Sequence, residues 1–201
     1  MKTKQTIGGL IALAVILFIG LAIFFFNQAT HNVTLPVYGQ VRDFHLTDVN
    51  NKELKPAELL GKVWVTNFFF TTCGDICPLM TKNMASLHRS YRLLDDVAFV
   101  SITVNPENDN SAALAKYAKK QEADTAKWHF LTGSREAITE LMVKGFKLES
   151  MQDAIFHSSF FVLVDRNGTI RGYYDGTSTE RVQSLFKDIA ILLKERGRYH
   201  R

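Results

Sequence analysis

The hydrophobic pattern falls into two regimes. The first is one unbroken apolar run, Ile7 to Phe26, and the second is a series of short apolar stretches set between polar residues, Gly and Pro. A helix over the 20 residues of the run spans roughly 30 Å at about 1.5 Å per residue, the thickness of a bilayer core. Secretory signals carry a shorter apolar stretch and a small-x-small cleavage site. Here Phe24, Phe25 and Phe26 lead straight into Asn27, Gln28 and Ala29. The reading is therefore a retained anchor over residues 1–26, with a cleaved signal as the alternative. Lys2 and Lys4 flank its short side with no acid among them. The positive-inside rule keeps that end in the cytoplasm and exports the rest. No Arg/Ser-rich transit segment precedes the run, which favours a bacterial inner membrane and places the domain in the periplasm or otherwise outside the cytoplasm.

Residues 27–40 read as a polar tether broken by Pro36 and Gly39. From there strand and helix patterns alternate. Asp43–Asp48, turning at Asn50-Asn51 into Lys52–Leu54, predicts a hairpin, and Pro56–Leu60, stopped by Gly61, one helical turn. Val63–Phe69 and Val97–Val104 predict strands buried on both faces. Pro78–Leu94 predicts a helix with Met80, Met84, Leu87, Tyr91 and Leu94 on one face. Ser111–Gln121, capped by Asn110, and Ser134–Val143, ending near Gly145, predict two further helices on either side of a short strand, Trp128–Leu131. Ser159–Val164 and Thr169–Tyr174 flank Asp165-Arg166-Asn167-Gly168, a hairpin signal. Thr177 with Glu180 predicts a capping box opening a last helix, with Val182, Leu185, Ile189 and Leu192 inward. This order predicts an α/β domain over 41–196 with a short tail at 197–201. Its fold is thioredoxin-like: a central, mostly parallel sheet with an N-terminal β-hairpin, helices on both faces, and one transmembrane helix ahead of it.

Composition narrows the function. The net charge is +4, and Lys2 and Lys4 supply half of it, so no basic stripe argues for nucleic acid. Two cysteines exclude a disulfide framework, a four-cysteine zinc site and an iron–sulfur cluster. A monomer is expected.

Those cysteines carry the chemistry. Cys73 and Cys77 follow a buried strand and lead into a helix, in Phe68-Phe69-Phe70-Thr71-Thr72-Cys73-Gly74-Asp75-Ile76-Cys77-Pro78. In open α/β sheets, ligands bind beyond the carboxyl ends of the strands. Cys77 lies near a helix N-terminus, whose amides and dipole favour a thiolate. Asp75 between them reads as a solvated loop acid. With three residues between the sulfurs a disulfide is feasible, a structural or redox role is open, and a soft metal fits two thiolates.

A third ligand comes from the histidines. His31 sits in the tether, His45 in the first hairpin, His129 on a short strand and His200 in the tail; His88, one place past Leu87, reads as solvent-facing. His157 precedes the Phe160–Val164 strand, on a loop that faces the cysteines in a thioredoxin-like fold. No proline occupies that loop, since none lies beyond Pro106, and an imidazole can approach the sulfurs. Two thiolates and an imidazole suit copper. Met80 and Met84 are better read as core than as ligands, because Leu87 shares their helical face.

These residues resemble a known family, the Sco/SenC proteins needed for cytochrome c oxidase assembly. The likeness rests on F-F-F-T-T-C-G-D-I-C-P-L-M at 68–80, S-I-T-V-N-P-E at 101–107 and F-H-S-S-F-F-V-L-V-D-R-N-G at 156–168, and spans about residues 40–193. It implies a thioredoxin-like fold and a copper site, holding Cu(I) or Cu(II), made of Cys73, Cys77 and His157. It also implies copper delivery to, or thiol maintenance of, the binuclear copper centre in oxidase subunit II. Gly74, Asn105 and Phe156 depart from the family pattern, which often has Pro, Asp and Asp there; the last two remove acids near the site.

Two functions compete. A copper metallochaperone is a carrier, not an enzyme, and needs His157. A thiol–disulfide oxidoreductase that keeps the partner's cysteines reduced needs only the redox-active pair Cys73 and Cys77, with Cys73 attacking. A peroxidase fits less well, because its chemistry requires one thiol and no metal ligand.

Overall fold

The computed structural model describes residue 13 and residues 15–22, 34–148 and 159–195. The chain divides into two compact units, Met1–Thr34 and Leu35–Arg201. In the first, residues 15–22 are helical and expose apolar side chains such as Leu17 and Phe18. Most of the expected anchor over 1–26 lies outside the described residues. Among the described residues no helix is long and apolar enough to cross a membrane.

The second unit is an α/β domain. In chain order its elements are β1 (Gly39–Gln40), β2 (Leu46–Thr47), β3 (Glu53–Leu54), a 3-10 turn at Pro56–Leu59, β4 (Val63–Phe69), α1 (Cys77–Tyr91), β5 (Val97–Thr103), α2 (Ser111–Lys120) and β6 (Trp128–Leu131). There follow α3 (Arg135–Glu140), a π turn at Leu141–Gly145, β7 (Phe160–Val164), β8 (Thr169–Asp175) and α4 (Thr179–Lys194). Most boundaries lie within two residues of the sequence expectation, because the signals that set them are local. Asn110 and Ser134 accept the Ala113 and Ala137 amides at 3.0 and 3.1 Å, as N-caps do. Gly61 takes φ +83, which stops the turn at Pro56–Leu59. The last cap differs by one residue: Ser178, not Thr177, accepts the Arg181 amide, at 3.3 Å. Thr177 instead donates its hydroxyl to Asp175, at 2.6 Å.

The main sheet has the order β1-β8-β7-β4-β5-β6, and β2-β3 forms the expected small hairpin. β4 runs parallel to β5, and β5 to β6. The other pairings, β4 with β7, β7 with β8 and β1 with β8, are antiparallel. The sheet is therefore mixed and not mostly parallel. The late hairpin docks in the middle of it, on the free edge of β4, because that is where buried apolar strands find a partner for their backbone groups on both sides.

β4 alternates between two apolar layers. Val63, Val65 and Phe69 join the layer under α1, α2 and α4, with Met80, Leu114, Leu185 and Ile189. Trp64 and Phe68 join the opposite layer, with Leu54, Leu59, Ile138 and Phe146. Each such side chain contributes about 1.5–3 kcal/mol on burial, so a one-residue slip in register reverses both layers at once. The expected inward face of α1 holds for Met80, Met84, Leu87 and Tyr91, but the helix ends at Tyr91 and leaves Leu94 exposed. His88, expected in solvent, is buried: its ring lies 5.4 Å from Trp128 and 5.8 Å from Phe99. Its two aromatic neighbours stand on β5 and β6, so the sheet covers a wider stripe of α1 than one apolar row.

One guanidinium draws the ends of this unit together. Arg171 on β8 donates to the carbonyls of Leu35 and Pro36, at 2.8 and 2.9 Å, and to Asp165 and Glu195, at 2.9 and 3.0 Å.

Candidate functional site

The cysteine loop begins where β4 parts from β5. Their last tie is the Val104 amide donating to the Phe69 carbonyl, at 2.8 Å. The chain turns at Thr71-Thr72, and the Cys73 amide returns to the Phe70 carbonyl at 3.3 Å. α1 then starts on Cys77 with Pro78 in its first turn, where the missing N–H breaks no helical bond.

Asp109, fully buried in the turn after β5, fixes the near side of this loop. Its Oδ2 accepts the Thr71 amide at 3.0 Å and the Thr103 hydroxyl at 2.6 Å, and its Oδ1 accepts the Thr71 hydroxyl at 2.5 Å. On the floor, one turn beyond Cys77, the Thr81 hydroxyl lies 2.8 Å from the Tyr117 hydroxyl, and the Tyr117 ring packs 5.2 Å from Phe69. Burial, and then the negative charge that Cys77 and Cys73 can carry, hold the Tyr117 phenol above its ordinary range; its hydrogen bond with Thr81 acts the other way.

Both cysteines are free thiols, Cys73 half-buried and Cys77 buried. Burial first, and then the neighbouring Cys73 sulfur, push the Cys77 thiol up to about 12, against a backbone hydrogen bond from Phe70. The helix N-terminus was expected to favour a Cys77 thiolate. Desolvation outweighs it here, because a dipole acting at one helix end offsets less than removal of the sulfur from water costs. Cys73 is the accessible sulfur.

The far side is built from the ends of β7 and β8. The Gly176 amide donates to the Ser159 carbonyl at 2.7 Å, and Asn83 of α1 donates to the Gly176 carbonyl at 2.7 Å. A Cβ on Gly176 would sit 3.0 Å from Met80 and Phe161, so the absence of a side chain lets the three segments close. β7 is antiparallel to β4, with Thr66 opposite Val162 and Trp64 opposite Val164. The start of β7 is thus at the sheet end where β4 releases the cysteine loop.

His157, two positions before Ser159, lies outside the described residues, as do His31 and His200. His45 bonds Glu53 at 2.9 Å on the first hairpin, and His129 is half-buried on β6. Neither joins the cysteines. Among the described residues no three His, Cys, Asp or Glu side chains gather into a metal site. Asp109, Thr81 and Tyr117 were not singled out from the sequence. The one available signal was an acid held in the polar turn directly after a buried strand.

A thioredoxin-like sheet with a thiol pair at the carboxyl end of a central strand defines the class. A family model described as SCO1/SenC matches residues 37–194, and the chain belongs to that family. It is 32% identical over 160 residues to the SCO1 protein homolog of Bacillus subtilis (strain 168), covering 77% of this chain and 83% of that protein. It is similar to the structure of BsSco, a member of the Sco family of cytochrome c oxidase assembly proteins in which a disulfide switch was identified. The identity is 30% and the TM-score 0.70, over 81% of this chain and 99% of the other. It is also similar to Arabidopsis thaliana ScoI with copper bound, at 25% identity and TM-score 0.63, over 78% and 99% of the two chains.

Proposed function

We propose that this protein is a membrane-anchored copper metallochaperone that holds copper on Cys73, Cys77 and His157. Its destination is the binuclear copper centre of cytochrome c oxidase subunit II. The observation that carries the reading is the thiol pair: two free sulfurs, the half-buried Cys73 in the loop after β4 and the buried Cys77 at the first residue of α1. Thiolate and imidazole donors are soft enough for Cu(I), and three of them suffice. Copper displaces the thiol protons on binding. The accessible Cys73 is then the sulfur at which an incoming ligand exchanges, while Cys77 retains the metal. Two supports favour His157. The copper-bound Arabidopsis relative belongs with a family this chain matches over 158 residues, 37–194. The chain enters β7 at Phe160, beside the end of β4, and the three residues of extended chain back to His157 reach about 10 Å.

The anchor belongs to the same proposal. Residues 1–26 span a bacterial inner membrane once, with the N-terminus cytoplasmic, and residues 27–40 tether a monomeric domain outside the cytoplasm. A second reading, a thiol–disulfide oxidoreductase for the partner's cysteines, is favoured by the exposure of Cys73 and by the disulfide switch of BsSco.

The deciding experiment loads the reduced full-length protein in detergent with Cu(I) and compares it with His157→Ala. The carrier reading expects one copper per chain, lost on oxidation of the pair. It expects binding to weaken in the variant by more than the roughly 10–100-fold typical of residues outside the ligand set. Wild-type copper affinity in a folded His157→Ala protein removes His157 from the site. Copper loss with full support of oxidase assembly selects the reductase reading.

A further inference from the structure

We propose that Asp109 is the positioning residue of the cysteine pair: by binding Thr71 and Thr103 it moors the loop carrying Cys73 to the carboxyl end of β5, and so sets how closely the Cys73 sulfur approaches Cys77. The inference deepens the proposed function and rests on its reading that the two sulfurs act together.

Asp109 has no exposed surface, and no ion pair with it is found among the described residues. Burying an ionised carboxylate without a cation is unfavourable unless donors surround it. Three do: the Thr71 amide, the Thr71 hydroxyl and the Thr103 hydroxyl. Two of the three belong to one residue, two positions before Cys73. Hydrogen bonds to charged acceptors are about twice as strong as neutral ones. The turn that supplies Asp109 is itself braced, since its amide bonds the Asn105 carbonyl at 2.9 Å and the Asn105 amide bonds the Thr103 hydroxyl at 3.0 Å. Cys77 is fixed independently, by its place in α1 and its burial. Cys73 lies on the open side of the loop, where a Cβ on Gly74 would meet nothing within 4 Å and Thr72 and Asp75 are exposed. The Thr71 anchor, together with the Cys73 amide's bond to the Phe70 carbonyl, therefore limits the Cys73 sulfur.

Closure of the pair measures that approach without any metal. Each Cys73–Cys77 disulfide formed from two thiols converts one oxidised glutathione into two reduced molecules, so the equilibrium constant against glutathione reports the effective concentration of one sulfur at the other. In Asp109→Asn the side-chain volume is kept, but an NH2 group replaces one acceptor oxygen. Its remaining oxygen can keep the Thr71 amide and the Thr103 hydroxyl while the NH2 donates to the Thr71 hydroxyl, so the contacts persist but lose the charge that strengthens them. We expect the disulfide constant and the Cu(I) affinity of full-length Asp109→Asn to fall together, each by about tenfold, the scale of one charge-assisted bond. Thr71→Val, which removes only the hydroxyl and leaves the Asp109–Thr103 bond, should follow in the same direction even if Asp109→Asn fails to fold. Thr71→Ser should restore the wild-type constant. A purely structural Asp109 lowers the melting temperature and leaves the constant of the folded protein unchanged. Wild-type constants in Thr71→Val and in any folded Asp109→Asn overturn the proposal, as does a wild-type pair that never closes. A wild-type protein that closes its disulfide but takes up no copper ends the copper reading, and the variants' disulfide constants still decide the role of Asp109.

Discussion

The imidazole of His88 lies 5.4 Å from the indole ring of Trp128, inside the domain, with its Nε2 buried and without a hydrogen-bond partner among the described residues. Burial holds its pKa below the ordinary histidine value; Asp124 opposes this, while Arg89, Lys127 and Arg92 add to it. Burial depresses His129 as well.

These two shifts set the sign of a pH effect. The unfolded chain takes up protons near its ordinary pKa of about 6.5, and the folded chain resists them. Stability is therefore full above that value and falls as the pH drops below it, until the depressed folded values are passed. The melting temperature should decline from pH 7 to pH 5. His88→Phe keeps a ring against Trp128 and removes the partnerless nitrogen, so it should be about neutral at pH 7 and flatten the decline. A decline as steep as that of wild type would mean that His88 titrates freely.

Ser101 is the centre of a buried chain: Trp128 Nε1 donates to its hydroxyl at 2.9 Å, and that hydroxyl donates to Asn67 Oδ1 at 2.7 Å. Ser101→Ala strands both neighbours in the core. A buried group left without its partner costs about 1–3 kcal/mol, so the denaturation midpoint in urea should fall by an amount equivalent to roughly 2–4 kcal/mol. A change below about 0.5 kcal/mol, the size of an ordinary surface substitution, would show that the pair rearranges around the gap.

Arg171 and Asp165 form a nearly dry ion pair, with side chains 9% and 12% exposed. Arg171→Met leaves Asp165 uncompensated and releases the Leu35 and Pro36 carbonyls, and breaking such a pair costs about 3–5 kcal/mol. The segment ahead of β1 should loosen with it. Chymotrypsin should then cut at Tyr38 faster in the variant than in wild type, at equal global unfolding. An unchanged cleavage rate would mean that the Tyr38 amide bond to Ile170 holds the segment without the guanidinium.

Thiol chemistry should discriminate between the cysteines. The half-buried Cys73 meets reagent, while Cys77 is buried with a thiol near 12. Brief iodoacetamide treatment of the reduced protein at neutral pH, read by peptide mass, should label Cys73 at least tenfold ahead of Cys77. Preferential labelling of Cys77 would reverse the assignment of the exchanging sulfur.

The one-dimensional order of this protein is legible because its signals are local. Asn110 and Ser134 cap the helices that follow them, Gly61 stops its turn, and the V-W-V-T-N-F-F run is fully buried as β4. The cysteine pair was equally plain, since a strand, a short loop and a helix put Cys73 and Cys77 beyond a strand's carboxyl end. What sequence could not supply depends on partners far along the chain. Nothing near His88 in sequence says that Trp128, 40 positions later, covers it, so a helical wheel put it in water. Nothing near Cys77 measures the depth of its burial, and desolvation depends on every atom that excludes water, so the helix end alone gave the wrong sign for its thiol. The β7–β8 hairpin is set by its own turn, but its direction against β4 is a choice between two edges and two orientations that only the assembled layers make. Asp109 reaches Thr71 across 38 residues for the same reason: hydrogen bonds act over about 3 Å in space, and only the folded chain brings those atoms that close.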